Sequence, residues 1–177
     1  MTVLRIVVTG TVGSGKTTFI RSISEIEVVD TDRTATDVTA QLKSQTTVAL
    51  DFGRMTIPPG LSLHLYGTPG QPRFDFMWDI LIRKAHAYVL LVAANRPDHF
   101  RLAHQILSFM QERSKRPMLI GLTHTDCPDC WTEEDLTLAL GYGEQYPPVV
   151  IVNPTQPESV HAMLLKLTEL TTAQPSV

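Results

Sequence analysis

The chain has 177 residues, of which 43% are hydrophobic and 19% charged, enough apolar material for one sizeable core and too much for a disordered segment. The 15 Lys and Arg against 18 Asp and Glu leave a net charge of -3, which gives no electrostatic footing for nucleic-acid binding. No apolar run nears the ~18 residues that span a bilayer, and neither a signal peptide, a myristoylation glycine nor a prenylation cysteine is encoded, so the expectation is a cytoplasmic protein with no direct membrane anchor.

Short apolar runs alternate with segments of helical period, the pattern of strands that cross over through helices. Residues 3–9 read as the first strand, feeding a Gly-rich turn and a helix over residues 15–24. Residues 25–46 are polar and aperiodic, a long surface loop. Residues 47–55 and 61–66 read as an antiparallel hairpin whose turn is fixed by Pro58 and Pro59. Phe74, Phe76, Met77 and Trp78 begin the next helix. Four large apolar residues cannot all face inward there, so part of this cluster is expected to be a partner surface.

Residues 87–93, AYVLLVA, form a strand covered on both faces and belong at the sheet centre. Asp98 is placed to cap a helix carrying Phe100, Ala103, Leu107 and Met110 on one stripe, ending before Pro117. Residues 118–123 are the next strand, Thr132 and Asp135 form a capping box, and residues 149–152 are the last strand. Pro157 and Glu158 open a final helix bearing Val160, Met163, Leu164 and Leu167, with residues 171–177 frayed. The expected organisation is one domain over residues 1–172 and a tail over residues 173–177.

Between the first strand and the first helix lies Gly10-Thr11-Val12-Gly13-Ser14-Gly15-Lys16-Thr17, a full G-x-x-x-x-G-K-[ST] match in its proper context. Backbone N–H groups of such a loop surround an anion, and the helix N-terminus adds its dipole. Lys16 is expected to reach the β- and γ-phosphates and Thr17 to coordinate Mg²⁺.

Three more segments follow in order: Thr47 at the head of the second strand, Gly67-Thr68-Pro69-Gly70-Gln71 after the third, and Thr123-His124-Thr125-Asp126 after the fifth. Together with the phosphate loop they resemble the boxes of the Ras-like small GTPase superfamily, and the resemblance covers nearly the whole chain. The T-P-G-Q and L-D-F-G segments look like the bacterial MglA-like and conservon-type branch, whose members typically partner Roadblock-domain proteins. The resemblance implies an α/β P-loop NTPase fold, a doubly wound and mostly parallel six-stranded sheet with one antiparallel hairpin strand and helices on both faces. It implies a GTP/GDP-binding switch with slow Mg²⁺-dependent hydrolysis. Lys16 and Gln71 would be the catalytic residues, Gln71 orienting the water. Gly13, Ser14, Gly15, Lys16, Thr17, Thr18, Gly70, Thr123, His124, Asp126, Asn153 and Thr155 would contact nucleotide, and Thr17 and Thr47 the metal. The alternatives are a non-hydrolysing scaffold and an ATP-dependent P-loop kinase or ATPase.

The departures bear on mechanism. Gly67 stands where the family has its Mg²⁺-anchoring Asp, and Asp51 is the expected substitute, in a register that places Thr56 opposite Leu61 and Asp51 opposite Tyr66. Val12 adds bulk at the third loop position, consistent with slow turnover. Pro154 has no N–H at the place where the family donates one to the guanine carbonyl. Arg33 and Arg54 are read as surface arginines, with a cis arginine finger as the alternative. Cys127 and Cys130 form a C-x-x-C, read first as two reduced loop thiols and otherwise as a redox pair or part of a zinc site with His124.

Overall fold

Every residue of AYVLLVA is buried because the strand lies inside the sheet with helices on both sides. Its alternation sorts the core. Tyr88, Leu90 and Val92 join one cluster with Trp78, Phe100, Ala103, Leu107 and Met110, while Ala87, Val89 and Leu91 join the other with Phe19, Ile20, Met163, Leu164 and Leu167. Burying each large apolar side chain contributes roughly 1.5–3 kcal/mol, so these two layers hold the sheet between them. Tyr88 is the polar exception, and its hydroxyl donates to the carbonyl of Ile82 at 2.7 Å.

The computed structural model describes residues 1–28, 51–68, 76–141 and 147–173. Within them the order is β1 (Thr2–Gly10), α1 (Lys16–Ile23), β2 (Asp51–Ile57), β3 (Leu61–Gly67), α2 (Phe76–Lys84), β4 (Ala87–Ala93), α3 (Phe100–Arg113), β5 (Met118–Thr123), α4 (Glu133–Leu140), β6 (Val149–Ile151) and α5 (Pro157–Ala173). The described strands form a six-stranded sheet in the order β2-β3-β1-β4-β5-β6. The β2–β3 pair is antiparallel and the other pairs are parallel, so this is the α/β, doubly wound architecture anticipated above. Strand order reverses between β1 and β4, and the crevice at their carboxyl ends is where such sheets bind ligands. No helix among the described residues is long and apolar enough to cross a membrane.

Several local expectations need correction. The hairpin register is one residue away from that expected: Ile57 faces Leu61, and Asp51 therefore faces Gly67 instead of Tyr66. The turn holds only the two prolines and Gly60, one residue fewer than assumed. Asp98 does not cap α3, because Pro97–His99 forms a 3₁₀ turn in front of it and the Asp98 carboxylate turns to the Arg96 guanidinium at 3.1 Å. Residues 171–173 continue α5, whereas 174–177 lie outside the described set. The capping box opening α4 is present in full, with Asp135 N–H donating to the Thr132 hydroxyl and Thr132 N–H to the Asp135 carboxylate.

Candidate functional site

The phosphate loop joins the end of β1 to the start of α1. Gly15, immediately before α1, has φ +102, and a Cβ there would meet Pro154 Cγ at 2.9 Å, so glycine is required both for the backbone shape and for the packing of the β6–α5 loop. Lys16 is buried, which its charge tolerates because the ammonium donates to the carbonyl oxygens of Gly10 at 3.0 Å and Thr11 at 2.8 Å. Two hydroxyls of the loop, Thr11 Oγ1 and Ser14 Oγ, are buried with no hydrogen-bond partner among the described residues. Each such group costs about 1–3 kcal/mol. Val12 stands 60% exposed at the mouth.

Thr17, in the first turn of α1, donates its hydroxyl to Asp51 Oδ2 at 2.5 Å. Asp51 heads β2 directly opposite Gly67 at the end of β3. A Cβ on Gly67 would lie 3.1 Å from Asp51 Cβ, 3.3 Å from Asp51 Oδ2 and 2.9 Å from Ile20 Cδ1. The Asp51 carboxylate thus occupies the space that a side chain at position 67 would need. A hydroxyl and a carboxylate side by side are hard oxygen donors of the kind Mg²⁺ takes when water and phosphate complete its shell, so the residues present fit that ion.

Further along the sheet edge, Gly15, Thr18, His124, Asp126, Asn153 and Thr155 line a cavity of about 190 Å³. Its floor is tied to the phosphate loop: the buried Thr123 hydroxyl donates to the Ser14 carbonyl at 2.8 Å and lies 2.9 Å from His124 Nδ1. In the β6–α5 loop, Asn153 Oδ1 accepts from the Thr155 N–H at 3.0 Å and its hydroxyl at 2.7 Å, while the Asn153 N–H goes to Ser159 Oγ at 3.0 Å. Pro154 is buried against Gly15 as a wall. The backbone donors either side of it are committed, so the Asn153 amide nitrogen is the donor this loop offers.

The structure therefore brings Gly13, Ser14, Gly15, Lys16, Thr17, Thr18 and Asp51 together at one end of the crevice, and Thr123, His124, Asp126, Asn153 and Thr155 at the other. Arg33, Thr47, Gly70 and Gln71 lie outside the described residues, as do Phe74 and the side chains of Phe76 and Met77. Arg54 lies three residues from Asp51 along β2 and so on the opposite face of the hairpin, away from the phosphate loop. Trp78 is not surface: it is buried, edge-on to Phe109 with ring centroids 6.1 Å apart. Cys127 and Cys130 are free thiols, and no group of three or more metal-ligating side chains occurs among the described residues. The link from Thr123 to the Ser14 carbonyl and the wall made by Pro154 are contacts between residues more than 100 positions apart, for which the sequence carries no local signal.

A search of solved structures matches the Arl6 BBS3 small GTPase from Trypanosoma brucei, determined with the nucleotide analogue GppNp, at a TM-score of 0.72 over 98% of this chain and 99% of that one, with 16% identity. At that identity the likeness speaks to the fold, which is the P-loop, small-GTPase-like one. Among curated proteins, the uncharacterized protein MJ1339 of Methanocaldococcus jannaschii is 29% identical over 132 residues, 74% of this chain and 76% of its own length. A family model matches residues 8–171. From the phosphate loop through nearly the whole of the last helix, the chain belongs to the family described as conserved hypothetical ATP binding protein.

Proposed function

We propose that the protein is a nucleotide-gated switch that binds GTP and GDP with Mg²⁺ and hydrolyses GTP slowly. The observation that carries this reading is the cavity that Asp126 lines together with Gly15 and Thr18, because it sets a carboxylate-bearing residue and the phosphate loop around one pocket. A carboxylate accepts two parallel hydrogen bonds from the N1–H and exocyclic amine of guanine, and adenine presents no such edge.

In this reading the loop N–H groups and the Lys16 ammonium, released from the Gly10 and Thr11 carbonyls, hold the phosphates. Thr17 and Asp51 would hold Mg²⁺, with Thr47 closing from the other side. The chemistry Mg²⁺ supplies when bound is neutralisation of charge on the phosphoryl oxygens. Gln71 orients a water for in-line attack on the γ-phosphorus. The bond to the β,γ-bridging oxygen breaks and GDP and phosphate leave. The Gly70 N–H and Thr47 hydroxyl sense that loss. Residues 1–173 act as one unit. The T-P-G-Q and L-D-F-G segments favour the MglA-like branch and a Roadblock-type partner for the switch segments, and the setting is cytoplasmic.

A second reading, ATP in the same site, is favoured by the family's description and by Pro154, which offers no N–H to a guanine carbonyl. The test is the dissociation constants of GDP, GTP and ATP on nucleotide-stripped protein with Mg²⁺, followed by phosphate release. Guanine preference with slow release that Gln71→Leu abolishes is expected; guanine binding without release makes the protein a scaffold, and ATP preference ends the guanine reading.

A further inference from the structure

Residues 124–130 run from β5 to α4 and are pinned at both ends. At one end Thr123 is bonded to the phosphate loop. At the other the Trp131 N–H donates to the Ala94 carbonyl at 3.0 Å, its ring meets Phe100 edge-on at 4.8 Å, and Thr132 is locked in the capping box.

Between these pins the two cysteines are structural donors. The Cys127 thiol donates to the His124 carbonyl at 3.5 Å and the Cys130 thiol to the Thr125 carbonyl at 3.3 Å, while the Cys130 N–H reaches the Cys127 carbonyl at 3.5 Å and closes the turn. The Thr125 carbonyl belongs to the peptide unit leading into Asp126. Both thiols therefore tether the segment that presents the carboxylate to the cavity. Desolvation and the neighbouring Cys130 thiol push the Cys127 pKa up, with the Asp126 charge adding to this, so the Cys127 thiol keeps its proton as a donor at neutral pH. A disulfide has no S–H, and forming one removes both tethers together. With residues 123 and 131 fixed, the chain between them must take up the change.

We propose that Cys127 and Cys130 form a reversible dithiol/disulfide site whose oxidation by a low-molecular-weight disulfide releases the His124 and Thr125 carbonyls, displaces Asp126 and weakens nucleotide binding. The effect on binding rests on the reading that Asp126 meets the base. In the reaction, one cysteine loses its proton and its thiolate attacks a sulfur of the oxidant, forming a mixed disulfide and expelling one small thiolate. The second cysteine, likewise deprotonated, attacks the protein sulfur of that mixed disulfide and expels the other. The two protons end on the two small thiols. The pair loses two electrons and the oxidant gains them.

The experiment equilibrates the full chain in buffers of reduced and oxidised glutathione, traps thiols by alkylation, and measures intact mass and the GDP dissociation constant. Expected are an internal disulfide, seen as loss of two hydrogens with no glutathione retained, and an affinity about tenfold weaker, within the usual range of coupling between sites. Dithiothreitol should reverse both, and Cys130→Ser should show neither. By linkage, saturating GDP should move the equilibrium toward the dithiol by the same factor. Glutathione adducts alone, or a disulfide that leaves GDP affinity unchanged, would overturn the proposal. If the reduced chain binds no nucleotide, the proposed function falls and amide exchange decides the pair by itself: faster exchange over residues 124–131 after oxidation supports it, and unchanged exchange overturns it.

Discussion

The phosphate end and the base end of the crevice are built on different principles. At the phosphate end the groups offered to a ligand are backbone N–H groups, one buried lysine and a hydroxyl bonded to a carboxylate, all fixed by β1, α1 and the β2–β3 hairpin. At the base end they are exposed side chains, His124, Asp126 and Asn153, on two irregular loops held by Thr123, Pro154 and two thiols. On the proposed reading, the first arrangement recognises what every nucleoside triphosphate shares, and the second is where one nucleotide is told from another.

The largest blow to that contrast comes at the phosphate end. Lys16→Ala removes a hydrogen-bonded charge at a cost of about 3 kcal/mol, roughly a hundredfold in affinity, and should do so alike for GDP, GTP and ATP in equilibrium titrations. A loss confined to one base would mean that the two ends are not separable.

The transposed carboxylate sharpens the comparison. Asp51→Ala should weaken the Mg²⁺ dependence of nucleotide binding about 10–100-fold. Gly67→Asp alone should destabilise the fold by roughly 1–3 kcal/mol through overpacking against Ile20 and Asp51, as read by urea denaturation. Combined with Asp51→Ala it should recover Mg²⁺ dependence, because one carboxylate then replaces the other. A double variant no better than Asp51→Ala would show that the two positions are not equivalent.

The smallest effect is the most selective. Asp126→Ala should cost GDP about 1–3 kcal/mol and leave ADP unchanged, since a bidentate base contact discriminates by about that much. Equal losses for both would place Asp126 outside base recognition.

How far each end could be read from sequence follows from the same difference. The phosphate loop is local: eight consecutive residues between a strand and a helix carry its whole geometry, and the strands and helices around it follow from apolar period. Asp51 was legible as a candidate from the gap at Gly67, but its partner was not, because a register depends on how many residues the Pro-Pro turn consumes. Which members of the cluster at the start of α2 would be core was not legible, since counting apolar residues at a helix start does not say which neighbour, here Phe109 of α3 for Trp78, will receive them. Asp98 failed as a cap because Arg96, two residues back, competed for its carboxylate and Pro97 started a 3₁₀ turn. The base end is assembled from residues near 15, 123 and 154, and nothing in any one of these segments announces the other two.

Pro154 resting on Gly15 has a consequence for how the protein is made. The phosphate loop leaves the ribosome more than 100 residues before the wall that closes over it, with synthesis proceeding at about 5–20 residues per second. A nascent chain carrying β1 to β5 already has the anion-binding turn but has no second side to the cavity. On the proposed reading, competence for nucleotide therefore arrives late, when β6 takes its place beside β5 and α5 packs against α1.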